Sequence, residues 1–195
     1  ADPYRVRLQP EVVRPTVLRV QIGLKDRARD VELTPTVHGQ AVSAVIFTAG
    51  WLPPDRAAPA PAIETRYRFG DTIELLGYDA PQIDSAANVI RYRLYWRAAK
   101  DGMEDYTVFA HLLDEHGAQI GQGDSQPFDG DFPTSLWRVG ETFVEERSLP
   151  ITTDAVPANI TIALGLYRLA DGARLPVIDA AGQRMRDDQI VVRVK

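Results

Sequence analysis

The sequence predicts an all-β protein, an antiparallel β-sandwich of the Ig-like or jelly-roll-like kind. Three observations predict this class. Short segments of alternating polarity recur along the 195 residues, Gly, Pro and Asp separate them, and no segment with helical periodicity is long enough for a helix. We expect roughly ten to thirteen strands and at most one or two short helical turns.

The composition excludes several classes of function. The net charge of −5 gives no electrostatic reason to bind nucleic acid. Because the chain has no cysteine, it has no disulfides, Cys-zinc sites or thiol catalysis. The longest uncharged stretch, residues 33–54, is too polar and too rich in proline to cross a bilayer, so we expect no direct membrane insertion by this chain.

The first 49 residues are predicted to form an N-terminal β extension, either a separate small element or part of the sandwich. Loose alternation predicts strands at 4–9, 16–24, 30–38 and 41–48. The turn between the last two contains Gly39, which accepts a positive φ. Residues 50–62 follow, GWLPPDRAAPAPA, and their four prolines would delete hydrogen-bond donors from a central strand. We interpret 50–62 as a linker or surface crossing, and 63–195 as the main sandwich domain.

The stretch from 88 to 114 is predicted to organise that domain. Its first strand, 89–98, alternates strictly and places one set of residues on a buried face: Ile90, Tyr92, Leu94, Trp96 and Ala98. The next, 106–113, is apolar on both faces and is therefore predicted to be central in its sheet. We expect the two to form a hairpin.

The other predicted elements flank this pair. A turn at Gly70-Asp71 interrupts a strand region at 66–78, residues 79–87 form a loop carrying Pro81, and 126–140 is a long irregular stretch with a helical turn near 134–137. Further strands are predicted at 118–125, 141–149, 160–168, 173–178 and 189–194.

The loop 126–140 is the main candidate site. An exposed aromatic ring flanked by carboxylates suits sugar binding, and loops on a rigid sandwich commonly carry binding sites. We therefore predict a ligand site at Asp129, Asp131, Trp137 and Arg138. Two alternatives remain open. Phe132 and Trp137 would plug the open end of the sandwich, or Asp124, Asp129 and Asp131 would collect Ca²⁺.

A second candidate is the polar face of strand 89–98, which carries Arg91, Arg93, Tyr95 and Arg97. Guanidinium groups together with an aromatic ring suit an anionic glycan or a phosphate. The alternative is cross-strand pairing with carboxylates, for which Glu141 and Glu145 share one face of a neighbouring strand.

No catalytic residues are predicted. The adjacent carboxylates Glu145-Glu146 and Asp187-Asp188 point to opposite faces of a strand, so neither pair can act as facing acid and base. There is no G-x-S-x-G elbow, and the three histidines are predicted to be structural or on the surface. We predict that this chain is not an enzyme and needs no cofactor and no metal apart from the Ca²⁺ alternative.

Five stretches together resemble a known bacterial family: FGDTIELLGY (69–78), LYWRA (94–98), DYTVFAHLLDEHG (105–117), PTSLWRVGE (133–141) and GLYRLADGARLPV (165–177). The resemblance is to the soluble C-terminal region of polytopic membrane glycosyltransferases of the dolichyl-phosphate-mannose mannosyltransferase-like or arabinose-transferase-like type. It covers residues 66–195.

That resemblance implies an extracytoplasmic accessory domain, tethered by a membrane region of the same parent protein. The transfer chemistry would belong to the membrane part, so the chain itself would be non-catalytic and would bind carbohydrate or another cell-envelope component. The alternative function is a structural or protein-interaction domain without a small-molecule ligand. Because the chain begins with Ala1, we expect it to be a piece of a longer protein.

Overall fold

A computed structural model describes residues 15–42, 45–52, 59–152 and 159–194, which leaves the predicted strand at 4–9 outside the described residues. The chain divides into two compact units, Ala1–Arg56 and Ala57–Lys195. The predicted fold class is confirmed, since the described strands pair antiparallel throughout. Fifteen strands and three short 3-10 helices are described, more than expected because several are only two to four residues long.

The described strands of the first unit form three two-stranded sheets. β1 (Thr16–Ile22) pairs with β6 (Val45–Leu52), β2 (Leu24–Asp26) with β3 (Val31–Leu33), and β4 (Thr36–Val37) with β5 (Gln40–Ala41). The predicted strand 30–38 is therefore split, at Pro35, which has no backbone N–H to donate. The predicted turn is confirmed, because His38 and Gly39 both have positive φ, 49° and 79°.

The first three residues of the predicted linker 50–62 belong to a strand. β6 continues through Leu52, because the residues that lack a backbone donor start only at Pro53. The C-terminal end of the predicted linker belongs to the second unit. Pro61 lies against Gly77, where an added Cβ would stand 2.5 Å from the proline Cγ, and the Ala62 N–H donates to Asp79 Oδ1 at 3.0 Å.

The second unit is a sandwich of two antiparallel sheets. One has the order β12-β9-β8-β7-β14 and the other the order β11-β10-β13-β15. The strands are β7 (Ile63–Phe69), β8 (Ile73–Asp84), β9 (Val89–Ala98), β10 (Tyr106–Leu113), β11 (Gln119–Gln122), β12 (Thr142–Pro150), β13 (Thr161–Arg168), β14 (Val177–Ile178) and β15 (Ile190–Arg193). β11 and β14 are shorter than the segments predicted at 118–125 and 173–178.

The predicted hairpin of 89–98 with 106–113 is wrong. β9 pairs with β8 and β12, whereas β10 pairs with β11 and β13 in the other sheet. The physical reason is that both strands present an apolar face to the same core, so the connection 99–105 crosses between the sheets. The prediction that β10 is central in its sheet is confirmed.

The predicted loop 79–87 is also wrong, because β8 runs through Asp84. Two irregularities in its register with β9, between Leu75 and Gly77 and between Asp79 and Gln82, absorb the residues that do not fit a regular ladder. Pro81 lies in the second of these bulges, where its missing N–H interrupts no pairing.

The core lies between the sheets. The five residues predicted to share the inner face of β9 are all buried, with exposed fractions of 0 to 3%. Opposite them, β10 and β13 contribute a second apolar layer: Val108, Ala110, Leu112, Ile162, Leu164 and Leu166. Among the described residues, no helix has the length and apolar character needed to cross a bilayer.

Candidate functional site

The loop 126–140 closes one end of the core. It contains two 3-10 helices, Pro127–Gly130 and Thr134–Leu136, the second at the predicted place. Trp137 is 1% exposed, and its indole Nε1–H donates to the Phe132 carbonyl at 3.1 Å. Its ring packs against Phe143, with centroids 5.0 Å apart. The assumption that this tryptophan is exposed to a ligand is therefore wrong, and its position is that of the plug alternative.

The polar residues predicted beside Trp137 stay on the surface. Asp129 accepts a hydrogen bond from Ser125 Oγ at 3.3 Å, Asp131 is exposed, and the Arg138 backbone N–H donates to Glu141. Without the ring, these groups lack the stacking surface that motivated the prediction. Whether Asp129, Asp131 and Arg138 contact a ligand stays a prediction.

The Ca²⁺ alternative requires three carboxylates to converge. Asp124 instead accepts from the Ala110 N–H at 3.3 Å, and its Oδ1 lies 3.6 Å from Nε2 of His111. Within the described ranges, no three His, Cys, Asp or Glu side chains form a group able to hold a metal ion. The structure thus does not assemble Asp124, Asp129 and Asp131 into such a group.

On the outer face of β9, the arginines pair with carboxylates of neighbouring strands. Arg91 contacts Asp84 at 3.0 Å, Arg93 lies 3.4 Å from Glu146 and 3.7 Å from Asp79, and Arg97 binds Glu74. The expected partners Glu141 and Glu145 are not the ones used, because the register places Glu146 opposite Arg93 and turns Glu145 into the core. The hydrogen bond from Arg91 lowers the pKa of Asp84.

Tyr95 belongs to the same outer face but is only 5% exposed. It is paired with Gly77, the residue on which Pro61 lies, and its hydroxyl donates to Asp79 at 3.1 Å. Burial, and then the hydrogen bond to Asp79, raise its pKa. The arginine face is consequently neutralised by ion pairs, and its aromatic ring is covered.

The outer face of the other sheet is different in character. Phe109, His111 and Tyr167 project on this side, with ring centroids 5.0 Å apart for Phe109–His111 and 6.4 Å for Phe109–Tyr167. We call these three rings the aromatic face. The rings of His111 and Tyr167 are partly exposed, whereas Phe109 is only 1% exposed.

Phe109 is held between a glycine and a guanidinium. It is paired with Gly165, where an added Cβ would lie 2.4 Å from the phenyl ring, so only glycine leaves room for it. Above the ring, the guanidinium carbon of Arg174 is 4.2 Å from the centroid. Arg174 is oriented there by the Asp187 carbonyl, which accepts at 2.9 Å.

A cleft of about 590 Å³ opens at one end of this same face. Three chain segments line it: Leu113, Asp114, Glu115, Gly117, Asn159, Ile160, Thr161, Arg193 and Val194. Leu113, Thr161 and Arg193 are cross-strand neighbours, and they lie on the same side of the sheet as His111. The cleft and the aromatic face therefore form one continuous surface.

The cross-strand row next to the cleft contains one of these rings and two aliphatic side chains. Ala163 is paired with His111 on one side and with Val191 on the other. Val191 is 57% exposed, although it is a large apolar side chain. The surface thus offers the Val191 side chain and the rings of His111 and Tyr167 along the sheet, with hydroxyl, amide, carboxylate and guanidinium groups at its end.

Sequence reasoning missed this site. Phe109, His111 and Tyr167 fit the alternation of buried strands, and His111 was expected to be structural or on the surface. One feature does distinguish the site: His111 follows Phe109 by two residues on the same strand, and Phe109 is paired with Gly165. The sequence does not reveal which strands pair, so it does not show that Gly165 leaves room for the Phe109 ring.

Comparison with known proteins yields little. No protein-family profile matches the chain, and no curated protein matches it. Among solved structures, it is similar to the C-terminal domain of Wzt, at a TM-score of 0.44 and 14% sequence identity, over 70% of this chain and 82% of that one. A likeness at this TM-score carries no argument about function. The glycosyltransferase resemblance stays a prediction.

Proposed function

We propose that the sandwich is a carbohydrate-binding domain, and that its ligand occupies the cleft and extends over the aromatic face. The observation that carries this proposal is the continuity of a polar cleft with the partly exposed rings of His111 and Tyr167 on one sheet face. The cleft volume of about 590 Å³ is within the range of small-molecule pockets. A sugar combines apolar C–H faces with many hydroxyls, which matches this mixture of groups.

Two of the hydrogen-bonding side chains of the cleft belong to paired strands, and two others lie next to the strands. Thr161 and Arg193 are paired on β13 and β15, and Asn159 precedes β13 by two residues. Glu115 is in the turn that follows β10. Groups held by paired strands lose little freedom on binding, which favours affinity for a flexible, hydroxyl-rich ligand.

In its setting, this domain would be a non-catalytic, extracytoplasmic accessory part of a membrane glycosyltransferase-like protein. The support for that setting is the five-stretch resemblance over residues 66–195. The membrane-embedded region of the same parent would be its protein partner, and a glycan of the cell envelope its ligand. No catalytic step is assigned to the chain.

The test is a glycan-array screen of the full chain, followed by calorimetry on the best ligand. We expect the double variant Asn159→Ala/Thr161→Val to weaken binding at least tenfold, because it removes two side-chain hydrogen-bonding groups from the cleft. The matched control is Arg91→Ala, on the outer face of the other sheet, with unchanged affinity. Absence of binding to any glycan, or equal loss in both variants, would refute the site.

A second candidate function is protein interaction, and one observation favours it. In the first unit, Val20 and Ile22 on β1 and Val31 and Leu33 on β3 are 38 to 53% exposed. Each pair is two residues apart on its strand and so shares a face. The partner would be the membrane-embedded region of the parent. Pull-down of that region by the wild-type chain, and equally by a Leu33→Ser/Val31→Ser variant, would exclude this surface.

A further inference from the structure

We propose that the ligand is an acidic glycan, one carrying a carboxylate or phosphate substituent, and that Arg193 binds this group. The inference rests on the proposed function and names the chemical class of its ligand. It starts from the charges of the cleft. Among the described residues that line it, Arg193 is the one cation, exposed at the end of β15.

Arg193 has no ion-pair partner among the residues that the structure describes, whereas most arginines of the sandwich have one. Arg91, Arg93 and Arg97 each meet a carboxylate on a neighbouring strand. Arg147, Arg168 and Arg184 likewise have acidic partners, at 2.6 to 3.2 Å. The β13 residue paired with Arg193 is Thr161, a neutral side chain. Within the described ranges, its guanidinium is thus the charged group of the cleft that no carboxylate binds.

The two acids of the cleft are arranged differently. Asp114 Oδ1 accepts from the backbone N–H groups of His116 and Ala118, at 2.9 and 2.8 Å, and so holds the turn after β10. Glu115 Oε1 lies 3.6 Å from Nε2 of His116, a neighbour on the same turn. Asp114 therefore serves the fold of the cleft wall, and the guanidinium is the group left to recognise charge.

A second cation stands at the other end of the same surface. Arg174 lies over Phe109, and its Nη1 donates to the Asp187 carbonyl and, at 3.4 Å, to Gln189 Oε1. The nearby Asp188 carboxylate is already bound by Arg184 through two hydrogen bonds. From Gln189 to Arg193 the strand rises about 13 Å, so a glycan chain lying along β15 would meet a guanidinium at each end.

The chemistry of the guanidinium decides the ligand class. Its planar fork of N–H donors matches the two oxygens of a carboxylate or a phosphate, and such charge-assisted pairs are about twice as strong as neutral hydrogen bonds. The protein as a whole has a net charge of −5, which repels an anion at long range. Recognition must therefore come from local contact, and it must weaken as salt is added.

The test uses the full chain and a glycan array in which each acidic glycan is printed beside its carboxyl-reduced, neutral counterpart. For the best pair, calorimetry at low ionic strength is expected to show the acidic form binding about tenfold tighter, as one charged hydrogen-bonded contact provides. Arg193→Gln is expected to abolish that difference and Arg193→Lys to retain part of it. Arg93→Gln, a variant in the other sheet, is the matched control and keeps the difference.

The outcomes separate the two proposals. If the acidic and neutral forms bind equally and Asn159→Ala/Thr161→Val weakens both, carbohydrate binding stands and the acidic inference is wrong. A preference for the acidic form that survives in Arg193→Gln overturns the role of Arg193. Failure of every glycan, acidic and neutral, to bind overturns the proposed function and this inference with it. Thermal unfolding of each variant tests whether a loss of binding reflects a loss of folding.

Discussion

Glu145 connects the loop that plugs the core to the sheet beneath it. The carboxylate accepts from Trp96 Nε1 at 2.8 Å, from the Phe128 backbone N–H at 3.0 Å and from Arg147 at 2.6 Å. Sequence alternation predicts that Glu145 and Glu146 point to opposite faces, and they do. It could not predict which one is buried, because charge alone favours solvent for both and only the indole, amide and guanidinium donors stabilise Glu145 inside.

Arg147 completes this buried cluster. Besides Glu145 it contacts the Gly123 carbonyl and Ser125 Oγ, at 3.1 and 2.9 Å. Burial disfavours its charge, but Glu145 and its other neighbours outweigh that effect, and the pKa of the guanidinium is raised. The phenol of Tyr92 lies beside Arg147, and burial raises the pKa of that phenol. The Arg147 guanidinium therefore keeps its charge inside the core.

We predict that Arg147→Met lowers the free energy of unfolding by about 3–5 kcal/mol, because it leaves the Glu145 charge buried without its counter-ion. Urea unfolding followed by tryptophan fluorescence measures this change. The control is Arg93→Met, which breaks exposed ion pairs and is expected to cost less than about 1 kcal/mol. Equal losses in the two variants would contradict the stabilising role assigned to the buried pair.

At the scale of elements, the sequence predicts strands better than their partners. Alternation identified the buried face of β9 residue by residue, since a side-chain period of two is a local property. Whether β9 pairs with β8 or β10 depends on contacts between distant segments. The wrong hairpin and the wrong loop at 79–87 share this cause. Bulges hide the continuation of β8 from a pattern search, because they shift the alternation.

The turn before β15 depends on an ion pair that titrates in acid. Arg184 donates to both carboxylate oxygens of Asp188, at 2.8 and 2.7 Å, and these hydrogen bonds lower the pKa of Asp188 below its ordinary value of 3.8. As the pH falls, the Asp188 carboxylate therefore takes up a proton at a higher pH in the unfolded chain than in the folded protein. The stability from Asp188 is present above pH 3.8 and is lost as the pH falls through the lowered pKa.

We predict that Asp188→Asn destabilises the protein at neutral pH, and that the difference from the wild type disappears in acid below the lowered pKa. Asn accepts the positive φ of 50° at this position, so the backbone is not strained by the change. Chemical unfolding at a series of pH values measures the difference. A difference that is the same at every pH would show that the lost carboxylate charge is not its cause.

At the scale of the whole molecule, the candidate site lay beyond sequence reasoning. The cleft joins residues 113–117, 159–161 and 193–194, which meet only because β10, β13 and β15 are neighbours in one sheet. The sequence predicted a loop site at 126–140 because that loop has an unusual composition. Composition reveals that Phe132 and Trp137 cluster, but not that they face inward.

We predict that residues 57–195 fold without the first unit, because their sheets and core are formed from their own side chains. Expressed alone, this fragment is expected to retain the near-UV circular dichroism of its buried aromatic rings and the glycan affinity of the full chain. The matched fragment 71–195, which lacks β7, removes a strand from the middle of a sheet and is expected not to fold. A molten 57–195 fragment would contradict the prediction.

The order in which the chain visits its two sheets has a consequence for folding kinetics. After β11 the chain changes sheet at every connection, with β12 and β14 in one and β13 and β15 in the other. The later strands pair with partners far earlier in the chain, since β12 pairs with β9, β13 with β10 and β14 with β7. Such non-local pairing raises the contact order, so the sandwich is expected to form late and in one concerted step, on a timescale of about milliseconds to seconds.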